Sequence, residues 1–246
     1  MRRLLCITAH PDDESASFGG TLLHYAERGV ETHVLCLTPG QAAKNRGNAK
    51  SDEELAAVRR GEFEAGCRIL HVTHAKVLDY PDAGLAYVNF YKAAEEITLY
   101  MRSISPQVVM TFGPEGAVTT HPDHTMVSLF ATLAFHWAGR KERFAEQLAA
   151  GIKPYQPQKL YYATAPFPLP HYQPACLASA TAIIQMPEHL DAKIAAFRAH
   201  ATQLPLADAV EKTLRQRGGE EWFHLVASMK PGKVEMETDL FAGVKD

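Results

Sequence analysis

Apolar and polar positions follow one another along the chain in blocks of two kinds. Residues 3–9 are apolar with no helical period, which predicts a buried strand. From residue 16 to 28 the period lengthens. Phe18, Leu22, Leu23 and Ala26 share one face and Gly29 is the stop, so a helix is predicted. Residues 31–38, with Val34, Leu35 and Leu37, predict a second strand. The polar, glycine-containing stretch 39–51 reads as a loop with room to cover a site. Ser51 or Asp52 caps a helix reaching about residue 70, with Asp52, Glu53 and Glu54 suited to its positive end. Next come a short strand at 75–78, a turn at 80–84 and a helix at 89–103, ended before Pro106. Residues 107–112 predict another buried strand, 113–120 a loop, and a helix starts at His121 or Asp123 and runs to 138.

Strand and helix thus alternate through the first 140 residues or so, the signature of parallel βαβ units in a doubly wound α/β sheet. Later strands are predicted at 160–165 and 182–186, and closing helices at 188–202 and 208–217. Between the late strands, the proline-rich stretch 166–174 cannot be sheet interior and reads as an ordered surface loop near a site. There is no internal repeat and no low-complexity tract.

Charge and composition narrow the classes. The net charge is -3, without the basic footprint of a nucleic-acid binder. No run approaches the roughly 18 apolar residues of a membrane span. The apolar start breaks off at His10, too early for a signal peptide. Cys6, Cys36, Cys67 and Cys176 are far apart, with no C-x-x-C pair and no disulfide framework; Cys6 and Cys36, inside apolar runs, read as buried free thiols, and a cytoplasmic setting is expected. A chain of 246 residues buries a core without staples, so any metal serves chemistry rather than folding.

Two polar clusters carry that chemistry. His10-Pro11-Asp12-Asp13-Glu14 stands between a buried strand and a helix, where open α/β sheets bind ligands. His10 and Asp13, three apart, converge on one ion in a tight turn, leaving Asp12 free to take a proton from water. So many carboxylates packed together without a cation would be costly. His121-Pro122-Asp123-His124 follows a second buried strand and also opens a helix, so it lies on the same sheet edge. One of His121 and His124 supplies a third ligand and the other is left for catalysis. Gly19-Gly20 allows close packing but is not G-x-G-x-x-G, which excludes a dinucleotide fingerprint.

Ala9 to Glu14 (Ala-His-Pro-Asp-Asp-Glu) and His121 to His124 (His-Pro-Asp-His) together resemble the LmbE-like (PIG-L) N-acetylglucosaminyl deacetylases. Arg59 and Glu62 look like that family's Arg-x-x-Glu helix, with His71 where a glycine often stands. Leu78-Asp79-Tyr80 with Asp82 and Gly84, Lys193 with His200-Ala201-Thr202-Gln203, and Glu221-Trp222-Phe223 are lesser matches. The resemblance implies a single Rossmann-like domain over 1–246, a mostly parallel sheet with helices on both faces, and one Zn2+. It implies removal of acetyl from a small-molecule acetamido-sugar conjugate. His10, Asp13 and His124 would be zinc ligands and Asp12 the general base. His121 would stabilise the oxyanion or protonate the leaving amine, with Asp123 orienting it. Arg59 and Asp82 would hold substrate. Some members of the family assemble, so a homo-oligomer is a state the resemblance allows. Rival readings are a metal-dependent amidohydrolase or esterase on another acylated molecule, and a non-catalytic sugar-binding member of the fold.

Overall fold

β1 (Arg3–Thr8) is paired in parallel on both sides, to β2 (Glu31–Cys36) and to β4 (Val108–Phe112). A strand covered on both edges and both faces has no polar side to show, which is why residues 4–8 are continuously buried. In this computed structural model the described residues are 1–167, 176–230 and 232–245. Among them β3 (His74–Val77), β5 (Lys159–Thr164), β6 (Ala182–Gln185) and β7 (Glu220–Ser228) complete one sheet, ordered β3-β2-β1-β4-β5-β7-β6. The first five strands are parallel, and β7 runs antiparallel between β5 and β6.

The chain winds from β1 to β3 in one direction, then returns to β4 and β5 on the other side of β1. Right-handed crossovers therefore place α1 (Asp13–Ala26) and α2 (Asp52–Ile69) on one face. They place α3 (Phe90–Ile104) and α4 (Pro122–Ala138) on the other. The winding reverses between β1 and β4, whose carboxyl ends carry the two polar clusters. α6 (Leu190–Arg198) packs on α1 and α2, and α7 (Leu204–Arg217) packs on α6. A short helix, α5 (Ala145–Ala149), follows α4.

β7 and α5 are not announced by the hydrophobic pattern. In β7 the buried positions are Glu221 and Phe223, so half of the inward signal is a carboxylate. That carboxylate accepts from the backbone N–H groups of Gly20 (2.8 Å) and Thr21 (3.0 Å) and meets Lys193 Nζ at 2.5 Å. Gly20 makes the approach possible, since a Cβ there would lie 3.0 Å from Glu221 Oε1. α1 begins at Asp13, earlier than the apolar period indicates, because its first turn is acidic and buried. The helix expected over 188–202 is shorter, with single 3-10 turns at Pro187–His189 and Ala201–Gln203 on either side of α6.

Cys6 and Cys36 are buried free thiols, as expected, and Cys67 is buried as well; burial pushes each pKa up, which keeps them unreactive. Among the described residues no helix is long and apolar enough to cross a membrane. Of the proline-rich stretch 166–174, residues from 168 onward lie outside the described residues.

Candidate active site

His10 leaves the end of β1, and its ring lies between three carboxylates. Nε2 is 3.1 Å from Asp82 Oδ1 and 3.2 Å from Asp123 Oδ2, while Nδ1 faces Asp13 Oδ2 at 3.6 Å. Asp13 opens α1, and its Oδ2 accepts from the N–H groups of Ala9 (3.1 Å) and His10 (2.8 Å). Its other oxygen, Oδ1, is 3.2 Å from His124 Nε2. His124 belongs to the first turn of α4, its ring stacked on Phe112 of β4 with centroids 4.0 Å apart. The two motifs, 111 residues apart (10 to 121), thus meet at the switch point between β1 and β4.

The tautomers follow from outer partners. His124 Nδ1 lies 3.3 Å from Gly116 O, an acceptor only, so Nδ1 carries the proton and Nε2 turns a lone pair to Asp13. His10 Nε2, between two carboxylates, is a donor, and Nδ1 faces Asp13. A carboxylate facing two imidazole nitrogens favours positive charge between them, carried by a ring proton or by a metal ion. Ligands at about 2.0–2.1 Å around a tetrahedral zinc stand about 3.3 Å apart; His124 Nε2 stands 3.2 Å from Asp13 Oδ1, and His10 Nδ1 stands 3.6 Å from the other oxygen, Oδ2. The donor set therefore fits a divalent ion, with each imidazole oriented by an outer acceptor in the usual way of metal sites. Ring nitrogens of His10, His121 and His124 all lie within 4.8 Å of one another.

Electrostatics fit the same picture. Burial works against a charged His10, but bonds to Asp123, Asp13 and Asp82 outweigh it and raise its pKa well above the usual value. Burial would raise Asp13, yet His124 and His10 hold it well below the carboxylate range. Asp82 and Asp123 are lowered in the same way, against burial, chiefly by His10. Four carboxylates surround this pocket of imidazoles, which favours positive charge at its centre.

Asp12 precedes α1 with φ of 119°, a left-handed backbone unusual for a residue with a side chain. It makes no side-chain cap bond to the helix, so its carboxylate stays in the cleft beside Asp13. Burial pushes its pKa up to about 6, with Arg59 opposing and the Asp13 charge adding. Its strained backbone is held by Glu14, whose Oε2 accepts from Asp12 N at 2.9 Å. Glu14 Oε1 in turn meets His200 Nε2 at 2.8 Å and Ser15 Oγ at 2.6 Å, all buried.

His121 caps α4 by accepting from Asp123 N at Nδ1, 3.2 Å, which leaves its proton on Nε2. Burial and the neighbouring His10 and His124 lower its pKa, so it is neutral near pH 7.

Three placements differ from the expected roles. The Asp123 carboxylate faces His10 and the N–H groups of Ala83 (2.7 Å) and Leu85 (3.2 Å), not the His121 ring. Asp82 also faces His10, through Oδ1, and its Oδ2 accepts from Ala42 N at 2.8 Å. Arg59 is 2% exposed, and its guanidinium donates to Gly40 O at 2.9 Å, to Pro11 O and to Asp12 Oδ2 at 3.1 Å. It lies under the site and steadies Asp12. The Glu14–His200 pair has no sequence signal beyond Glu14 ending the first motif, because its halves are 186 residues apart. The loop 39–51 does reach the site, through Ala42 and Gly40.

The family model described as PIG-L, GlcNAc-PI de-N-acetylase, matches residues 5–135, which include every residue from His10 to His124. The chain belongs to the PIG-L family. Mycothiol S-conjugate amidase of Streptomyces coelicolor is 33% identical to this PIG-L chain over 179 residues, covering 65% of it and 60% of that relative. The 1D-myo-inositol 2-acetamido-2-deoxy-alpha-D-glucopyranoside deacetylase 2 of Catenulispora acidiphila is 28% identical, with 99% of this chain and 97% of the relative covered. The solved N,N'-diacetylchitobiose deacetylase from Pyrococcus horikoshii superposes with a TM-score of 0.77 and 26% identity, over 92% of this chain and 84% of the other. As a PIG-L member this chain is an amide hydrolase of the deacetylase class, and the family's deacetylases are metal-dependent.

Proposed function

We propose that the chain, as one domain over 1–246, removes acetyl from an N-acetylglucosamine-type conjugate with one Zn2+ held by His10, Asp13 and His124. The observation that carries the reading is the convergence of His10 and His124 on the Asp13 carboxylate, with His124 Nε2 3.2 Å from Oδ1 and His10 Nδ1 3.6 Å from Oδ2. Mixed nitrogen and oxygen donors at near-tetrahedral spacing favour zinc among divalent ions. The acetamido sugar rests on the names of the relatives, two of which are deacetylases of amino-sugar derivatives.

When bound, the ion lowers the pKa of water and polarises the acetyl carbonyl. The side chains do the rest. Asp12, as the carboxylate, takes the proton from water as the water oxygen bonds to the carbonyl carbon. His121 donates from Nε2 to the carbonyl oxygen as negative charge builds there. Its lowered pKa keeps it a neutral donor rather than an acid. Asp12, now protonated, returns the proton to nitrogen as the C–N bond breaks, giving acetate and a free amine. Asp82 and Asp123 hold the His10 ring, and Arg59 and Glu14 hold Asp12 at its backbone angle. Three buried thiols, Cys6, Cys36 and Cys67, suit a reducing compartment such as the cytoplasm.

The test is free-amine release from a panel of N-acetylglucosaminides, before and after chelation and with zinc restored. Zinc-dependent release supports the reading. Preferential turnover of other acetamides or of esters moves the substrate elsewhere, and zinc-independent release removes the metal.

A further inference from the structure

The last turn of α1 carries His24, and Glu27 caps the helix three residues on, still in helical conformation and so on the same side. Against that side packs the 3-10 turn Pro187–His189, which brings Glu188 and His189. One ligand-type atom from each of His24, Glu188 and His189 falls within 4.8 Å of the others. His189 is 6% exposed, and its Nε2 has no hydrogen-bond partner among the described residues. It faces Glu27 Oε2 at 3.7 Å and Glu188 Oε1 at 3.8 Å, just beyond hydrogen-bond reach. Nδ1 of His24 is likewise buried without a partner. The two rings meet edge to face with centroids 6.0 Å apart.

An almost fully buried imidazole nitrogen without a partner costs free energy that folding does not leave unspent without reason. His189 Nε2 stands 3.7 and 3.8 Å from the two carboxylates and His24 within 4.8 Å of Glu188 and His189, so side-chain rotations are needed to close these donors on an ion. The carboxylates are half-exposed at their outer edges, at 47% for Glu27 and 56% for Glu188, so an ion has a path in from solvent. The nearby guanidinium of Arg28 is turned to His24 O at 2.9 Å. His24 stands 11 residues along α1 from Asp13, about 16 Å away at the opposite edge of the sheet, so this cluster is separate from the catalytic site.

We propose that His24, Glu27, Glu188 and His189 form a second site for a divalent transition ion. Two imidazoles and two carboxylates suit Zn2+, Co2+ or Ni2+ and not Mg2+ or Ca2+, which take oxygen. The ion ties the end of α1 to the start of α6, the helix whose Lys193 pairs with Glu221 behind α1. Its role is to brace the face opposite the reaction centre.

Zinc titration of the full chain after chelation, against a competing chromophoric indicator, tests this. The wild type is expected to take two ions. The double variant His24→Gln, Glu27→Gln, altered only on the outer turn of α1, is expected to take one and to keep its deacetylation rate. The Glu188→Gln variant should weaken the same ion by about tenfold or more. His10→Ala should also take one ion, and that one should disappear when His24→Gln is added. Two ions retained in the α1 double variant overturn the second site. So does a single wild-type ion that His10→Ala removes. A single wild-type ion that His10→Ala leaves and His24→Gln removes keeps the second site and removes the catalytic one.

Discussion

Asp123 Oδ2 lies 3.2 Å from His10 Nε2, and so fixes the ring that faces Asp13 with its other nitrogen. Asp82 Oδ1 shares the same N–H at 3.1 Å. Outer partners of this kind typically carry about 10- to 100-fold in metal affinity. Asp123→Asn and Asp82→Asn are each expected to weaken zinc by that order in a competition titration. Deacetylation by Asp82→Asn should recover in part when zinc is raised to saturation. Unchanged affinity in both variants removes the orienting role.

Asp12→Asn should keep its zinc and lose about 10²- to 10⁴-fold in kcat. Its pH behaviour gives a second reading. Burial raises the Asp12 pKa to about 6, above the unfolded value of about 3.9. A carboxyl that binds its proton more tightly when folded costs stability as pH rises between those values. In metal-free protein, Asp12→Asn should therefore gain on the wild type from pH 4 to pH 7, by about 2–3 kcal/mol at most. Parallel thermal unfolding curves across that range contradict the assignment. In the active enzyme a cation beside Asp12 favours the carboxylate, so the acid limb of kcat/KM should lie below the metal-free value of about 6.

Arg59 pulls the Asp12 pKa down and braces Gly40 and Pro11. Replacing it with methionine leaves a carboxylate buried without its partner. The expected loss is about 3–5 kcal/mol of stability, with the acid limb of kcat/KM moving to higher pH. A variant that instead raises only KM, with the limb unmoved, returns Arg59 to substrate binding.

His71 follows α2 with φ of 53° and is exposed. A left-handed residue with a side chain costs about 1–2 kcal/mol, and glycine costs roughly 0.5–1 kcal/mol in chain entropy. His71→Gly should stabilise the protein by about 0.5–1 kcal/mol, read as a higher Tm with unchanged activity. A lower Tm means the imidazole makes a contact that outweighs the strain.

The legible parts of the sequence are those where local pattern and final environment agree. β1 and β4 read as buried because both their edges and both their faces are covered. The meeting of His10 with His124 was legible because both motifs follow such strands. β7 was not, since Glu221 buries a charge whose partner, Lys193, comes from a distant helix. The contacts that Asp82, Asp123 and Arg59 make with His10, Asp12 and the backbone were not legible for a related reason. Residue type and motif suggest contact with a ligand, but which way a carboxylate or guanidinium turns is decided by backbone groups such as Ala42 N, Ala83 N and Gly40 O. Those come from loops with no period to read.

Anomalous diffraction at the zinc edge, from crystals of the chain loaded with zinc, bears most directly on the catalytic centre. A strong peak is expected at about 2.0–2.2 Å from one nitrogen each of His10 and His124 and from an Asp13 oxygen, with Asp12 beside it and not bound to it. Full zinc occupancy with no peak between His10, Asp13 and His124 contradicts the account.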